Sequence, residues 1–133
     1  MTSFPEAFES FALKILSPDL SDAAHLRFQA LARQVALEKD RSLDFDGNSS
    51  QLIFVGQGAT KLVAHASEAR DQIVAFHFGG EVFSVPEQDN YSYSVCALRD
   101  CSLLTFPADD FLDLAASEAG ILRHLLDNTT GSL

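Results

Sequence analysis

At 133 residues, with 47% apolar side chains and 11 phenylalanines, the chain is long enough for one cored domain and too short for two comfortable ones. Its formal net charge of −10, with only 9 scattered Lys and Arg, excludes nucleic-acid binding by these residues alone, because that affinity comes mostly from neutralising phosphates. No apolar run approaches the roughly 18–20 residues of a membrane span, and no basic region precedes an apolar one at the N-terminus, so a cytoplasmic protein with no membrane partner is expected.

The first element is an amphipathic helix with Phe8, Phe11, Ala12, Ile15 and Leu16 on one face and Pro5 in its opening turn; Ser17-Pro18 breaks it. A second helix starts with Ser21 as cap and Asp22 in the first turn, and Ala24, Phe28, Leu31 and Val35 form its stripe. These helices occupy 5–34. A β-region is expected over 35–107. Asp46-Gly47-Asn48-Ser49-Ser50 is a turn, Leu52-Ile-Phe-Val55 a buried strand, and Gly56-Gln57-Gly58 a tight connection into Ala59–Ala66. Glu68-Ala-Arg-Asp71 reads as a hairpin loop. In the strand after it, Val74, Phe76 and Phe78 share one face and Ile73, Ala75 and His77 the other. Two more strands follow, Tyr91–Leu98 and Cys101–Phe106. Helices are expected over 108–130: Asp109 and Asp110 complement the dipole of one, and Ser117 caps another whose stripe is Ile121, Leu122, Leu125 and Leu126.

The order of Ile73-Val-Ala-Phe-His-Phe78, Gly79-Gly80-Glu81-Val82-Phe83, the strand pair Tyr91–Leu98 and Cys101–Phe106, and a helix opened by Pro107-Ala-Asp-Asp-Phe111 resembles the sensor domain of Crp/Fnr-type bacterial transcription regulators. The resemblance covers about residues 20 to 128. It implies a mainly β fold with flanking helices: a cyclic-nucleotide-binding-like double-stranded β-helix (jelly roll) with two N-terminal and two C-terminal helices, as a single sensor domain over 1–133. It also implies a homodimer contact through Ile121, Leu122, Leu125 and Leu126. The helix-turn-helix domain of those regulators is absent from this chain, so DNA would be reached only through a missing domain.

In that family a Gly-Glu pair and a later Arg-Ser or Arg-Thr hold the cyclic nucleotide, the Arg on its phosphate. Matching Ala97-Leu98 through Phe111 to the family places the turn glycine at Gly80, the cassette Gly-Glu at Ser84-Val85 and the Arg-Ser pair at Tyr91-Ser92. No Arg occurs between Asp71 and Leu98 in any register. A cyclic phosphate entering here would lack a buried cation, at a cost on the order of several kcal/mol. The Tyr-Ser-Tyr-Ser segment resembles the FixK- and Fnr-like branch, which also lacks the cassette Arg. The N-terminal cysteine cluster of Fnr has no counterpart, since the first cysteine is Cys96. Ser84, Val85, Tyr91, Ser92 and Tyr93 are therefore the candidate pocket. Either the rings of Tyr91 and Tyr93 fill it, or a small apolar or aromatic effector occupies it with the tyrosine hydroxyls as polar handles.

Other chemistry is thinly represented. Cys96 and Cys101 are too few to hold a cluster or a structural zinc and read as buried free thiols. A cupin-like metal site would need a His-x-His pair, but Ala75 stands where His77 would need a partner, and His25, His65 and His124 are dispersed. No metal or cofactor is expected, and His77 is expected to be solvated or hydrogen-bonded. No Ser–His–Asp order or phosphate loop stands out, so no enzyme is expected. The expected function is a regulatory sensor domain that does not bind cyclic nucleotide in the usual way. The alternatives are a stand-alone β-barrel binding a small molecule or protein without a DNA role, and, third, a cupin-like metalloenzyme.

Overall fold

A computed structural model describes residues 3–16, 18–45, 49–66, 70–87 and 91–117, the side chain of Tyr91 excepted. Helix α1 (Phe4–Ile15) begins where the Ser3 hydroxyl accepts the Glu6 N–H at 3.3 Å, with Pro5 in its first turn, and it buries Ala7, Phe8, Phe11 and Ile15. Helix α2 (Asp22–Leu31) is capped by Ser21, whose hydroxyl accepts the Ala24 N–H at 3.2 Å. It stops earlier than its apolar spacing predicts. Val35 is not part of the helical stripe; it lies in strand β1 (Arg33–Leu37) opposite Leu103, where a β-branched side chain packs well.

Seven further strands follow: β2 (Ser42–Phe45), β3 (Gln51–Gln57), β4 (Ala59–Ala66), β5 (Asp71–Phe78), β6 (Val82–Val85), β7 (Tyr91–Ala97) and β8 (Cys101–Pro107). They pair antiparallel into two four-stranded sheets, β1-β8-β3-β6 and β2-β7-β4-β5. This is the jelly roll expected from the sequence. Helix α3 (Ala108–Ala116) follows β8 directly, with Asp109 and Asp110 in its first turn. The second C-terminal helix, and with it Ile121, Leu122, Leu125 and Leu126, lies outside the described residues.

The first sheet is covered on both faces, which is why β3 and β8 read as continuous apolar runs. Ile53, Val55, Phe83, Val85 and Leu103 face the second sheet, where they meet Leu62, Tyr93 and Val95. Leu52, Phe54, Leu104 and Phe106 point the other way, into the helices. Phe11 centres that layer, its ring 5.3 Å from Phe54, 4.7 Å from Phe106 and 6.0 Å from Phe111. Helices α1 and α3 pack against β3 and β8 of the first sheet, and in β5 of the second sheet Ile73, Val74, Phe76 and Phe78 are each half exposed.

Gly58 joins β3 to β4 at φ +105°, and a Cβ there would sit 2.6 Å from Cys101 Sγ and 2.7 Å from the Asp100 carbonyl oxygen. Only glycine fits. The β5–β6 turn has Gly80 at φ +90°, its N–H donating to the Val55 carbonyl at 2.7 Å. Next to it the Glu81 carboxylate accepts the Phe78 N–H at 2.6 Å.

Candidate functional site

Strand β7 alternates. Tyr93, Val95 and Ala97 enter the core between the sheets, so Ser92, Ser94 and Cys96 face outward. Ladder register then decides what each serine meets. Ser94 lies opposite Asp44 of β2, Ser92 lies opposite His65 of β4, and His65 lies opposite Asp71 of β5. The outward side chains join in one line across all four strands. The Ser94 hydroxyl is 2.6 Å from Asp44 Oδ1 and 2.7 Å from His65 Nε2, and His65 Nδ1 is 2.7 Å from Asp71 Oδ1. Beside this line is a hollow of about 600 Å³ lined by Asp44, Phe45, His65, Ser92, Tyr93 and Ser94.

The three short contacts need three protons, whereas ionised carboxylates contribute none and a neutral imidazole plus one hydroxyl contribute two. With a neutral ring, Asp44 and His65 compete for the single Ser94 proton. All three bonds form together only when an additional positive charge or proton is present. The sequence reading found no Ser–His–Asp order, yet the fold brings His65, Asp71 and Ser94 into that arrangement. It lacks the rest of an acyl-transfer centre. Asp44 shares the hydroxyl, and β7 is paired on both edges, with β2 and β4, so its N–H groups are held in ladders and cannot form an oxyanion hole.

Of the expected pocket residues, Ser92 and Tyr93 line the hollow. Ser84 and Val85 belong to β6 in the other sheet: Val85 is buried between the sheets, and Ser84 lies opposite Leu52. The Tyr91 backbone lies in β7 opposite Ala66; its side chain is outside the description. Asp44, Phe45, His65 and Ser94 were missed. Only the outward positions of Asp44, His65 and Ser94 in alternating strands hinted at them; Phe45 packs inward beside Tyr93.

His77 corrects an expectation. It is neither solvated nor hydrogen-bonded at Nδ1. It is 3% exposed, stacked on Phe83 with centroids 3.8 Å apart and planes at 6°, and its Nδ1 has no partner. Burial lowers its pKa below the usual histidine value, with Glu81 pulling weakly the other way. Cys101 is buried with its thiol near the Ala59 and Arg99 carbonyls at 3.3 and 3.1 Å, and desolvation pushes its pKa up. Cys96 is half-buried, within 3.2 Å of the Ser42 hydroxyl, and both thiols are free. Among the described residues no group of three or more His, Cys, Asp or Glu could hold a metal ion.

Comparison with known proteins places this geometry in context. Residues 34–118 match the family described as Cyclic nucleotide-binding domain. No curated protein matches the sequence. The sensor domain of the transcriptional regulator DNR from Pseudomonas aeruginosa superposes with a TM-score of 0.68 at 15% identity, over 93% of this chain and 86% of that one. A protein from Eubacterium rectale described as a regulator of the crp/fnr family gives 0.61 at 14% identity, over 82% of this chain and 53% of that one. Oxidized CprK in complex with o-chlorophenolacetic acid gives 0.61 at 11%, over 81% of this chain and 45% of that one. At these identities the likeness is one of fold.

Proposed function

We propose that this chain, which belongs to the cyclic nucleotide-binding domain family, is the sensor domain of a Crp/Fnr-type transcription regulator that does not bind cyclic nucleotide in the usual way. One observation carries the reading. Between Asp71 and Leu98 there is no Arg, so nothing in the segment where the family holds its phosphate can neutralise one. The neighbouring Glu81 offers no ribose contact either, because its carboxylate holds the Phe78 N–H in the β5–β6 turn. The fold admits ligands of another kind, since CprK is described with o-chlorophenolacetic acid.

In this reading an effector acts at the hollow beside Ser92 and Tyr93 and biases a dimer contact formed by Ile121, Leu122, Leu125 and Leu126. DNA contact belongs, in this reading, to a helix-turn-helix domain outside these residues; the net charge of −10 argues against DNA binding by these residues themselves. The protein is cytoplasmic and has no catalytic role; no helix among the described residues is long and apolar enough to cross a membrane. The open hollow beside Tyr93 also favours a second reading, a stand-alone small-molecule binder without a DNA role. Isothermal titration with cyclic AMP and cyclic GMP tests the first claim. No saturable heat is expected up to about millimolar nucleotide, and a micromolar Kd would overturn it.

A further inference from the structure

We propose that the outward face of β5 receives the apolar stripe Ile121, Leu122, Leu125 and Leu126 from a second copy of this chain. The inference rests on the reading of that stripe as a dimer contact and names the surface it meets.

Strand β5 is the edge of its sheet, paired only with β4 among the described residues. Its Ile73, Val74, Phe76 and Phe78 are 50%, 53%, 51% and 55% exposed. Phe76 lies opposite Lys61, whose neighbour Leu62 points into the core, so Phe76 faces outward, with Val74 and Phe78 at alternate positions. Alternation alone would turn Ile73 inward. Ala75 pairs with Leu62 and Ile73 with Val63, so Val74 is an extra residue in β5, and this bulge leaves Ile73 and Val74 exposed together. Each half-exposed ring leaves on the order of 100 Å² in water, and the strip on the order of 350 Å² in all, the size at which an apolar patch marks an interaction site.

Charge favours the stripe as the occupant. At a net charge of −10, two copies repel over most of their surface, so a contact between them needs an uncharged strip. From Gln72 to Phe78 the only ionisable side chain is His77, which is turned inward and kept neutral by burial. From Ala119 to Leu126 the stripe carries Arg123 and no carboxylate, while the β5 strip ends on Asp71, whose side chain is 66% exposed.

The reach of the chain decides which copy supplies the stripe. Helix α3 packs on β3 and β8, outside the first sheet, whereas the strip faces outward from the second. A helix axis lies about 10 Å from the sheet it covers, and packed sheets are about 10 Å apart, so about 20 Å or more separates α3 from the strip. The four residues from Ser117 to Ile121 span at most about 14 Å. The chain's own Ile121 falls short, so a second copy covers the strip and a two-fold axis repeats the contact. Counted twice and on both surfaces, it buries on the order of 1,400 Å², within the range of about 1,200–2,000 Å² for specific interfaces.

The test is isotope-filtered NMR on an equal mixture of labelled and unlabelled protein, with sedimentation equilibrium of Phe76→Lys and Leu122→Lys variants. Contacts between copies, from the Phe76 or Phe78 ring to methyl groups of Ile121, Leu122, Leu125 or Leu126, are expected. Each variant should weaken the dimer about tenfold or more. Should Phe76→Lys fail to fold, Val74→Lys takes its place, and the mixed-label contacts on the unaltered protein stand without either. A dimer weakened by Leu122→Lys and not by Phe76→Lys overturns the β5 assignment and leaves the stripe as a dimer contact. Ring-to-methyl contacts found only within one copy overturn the second copy as the source. A protein that stays monomeric up to about millimolar concentration overturns both the assignment and the dimer reading.

Discussion

His77 sets up a pH dependence that can be worked from its surroundings. The ring is buried beneath Phe83, its Nδ1 has no partner, and its ladder neighbour Thr60 is fully buried with an equally unpartnered hydroxyl. A proton on this imidazole would be stranded, so burial depresses the folded-state pKa below the unfolded value near 6.5. The sign follows. Above about pH 6.5 both states are neutral at this site and it adds no pH dependence. As pH falls below that value the unfolded chain takes up the proton first, and stability is lost until the folded ring also titrates. Each unit of depression corresponds to about 1.4 kcal/mol at the acid limit. Replacing His77 by Leu removes the titration and the orphan nitrogen, whose burial costs about 1–3 kcal/mol, and forfeits a ring stack of about 0.5–1.5 kcal/mol. His77→Leu should therefore equal or slightly exceed the unaltered protein in stability at about pH 7.5, and its advantage should widen towards about pH 5.5. Urea unfolding at the two pH values, read by circular dichroism, gives the difference directly. Parallel loss in both proteins would refute the argument, because every other histidine and carboxylate is common to the two.

Three further outcomes follow from the packing. Phe11→Ala empties the centre of the helix–sheet layer and should cost roughly 3–5 kcal/mol, seen as a lowered urea midpoint. Gly58→Ala should cost at least about 1–2 kcal/mol from its positive φ alone, with more from the approach to Cys101 Sγ and the Asp100 carbonyl; a neutral effect would show that the β3–β4 connection is placed differently. Thiol alkylation followed by mass spectrometry should modify half-buried Cys96 first and Cys101 about tenfold more slowly, since burial both shields the Cys101 thiol and raises its pKa.

What could be read from sequence, and what could not, divides along the range of the interactions. The cap at Ser21, the acidic first turn of α3, the apolar face of α1 and the inward position of Tyr93 depend on neighbours a few residues away, and spacing reveals them. The polar line does not. Asp44 and Ser94 are 50 residues apart and His65 and Ser94 are 29 apart, so their meeting depends on which strands are neighbours and in which register. Strand β5 shows the same limit more sharply. Alternation separates Val74, Phe76 and Phe78 from Ala75 and His77, but Ile73, which it places with His77, is half exposed like the first set, where the register shifts between Leu62 and Val63. Nor can alternation say which set is covered, and hydrophobicity alone would bury the phenylalanines. The ladder sets His77 opposite Thr60 and stacked on Phe83, and leaves Phe76 and Phe78 half exposed. A strand that turns a histidine inward and phenylalanines outward contradicts its own optimum for stability, and such conflicts between local pattern and global fold concentrate where a protein is selected for something else. Here the conflict falls on the strand that also supplies Asp71, the end of the polar line, so the same element that lowers stability also presents the site.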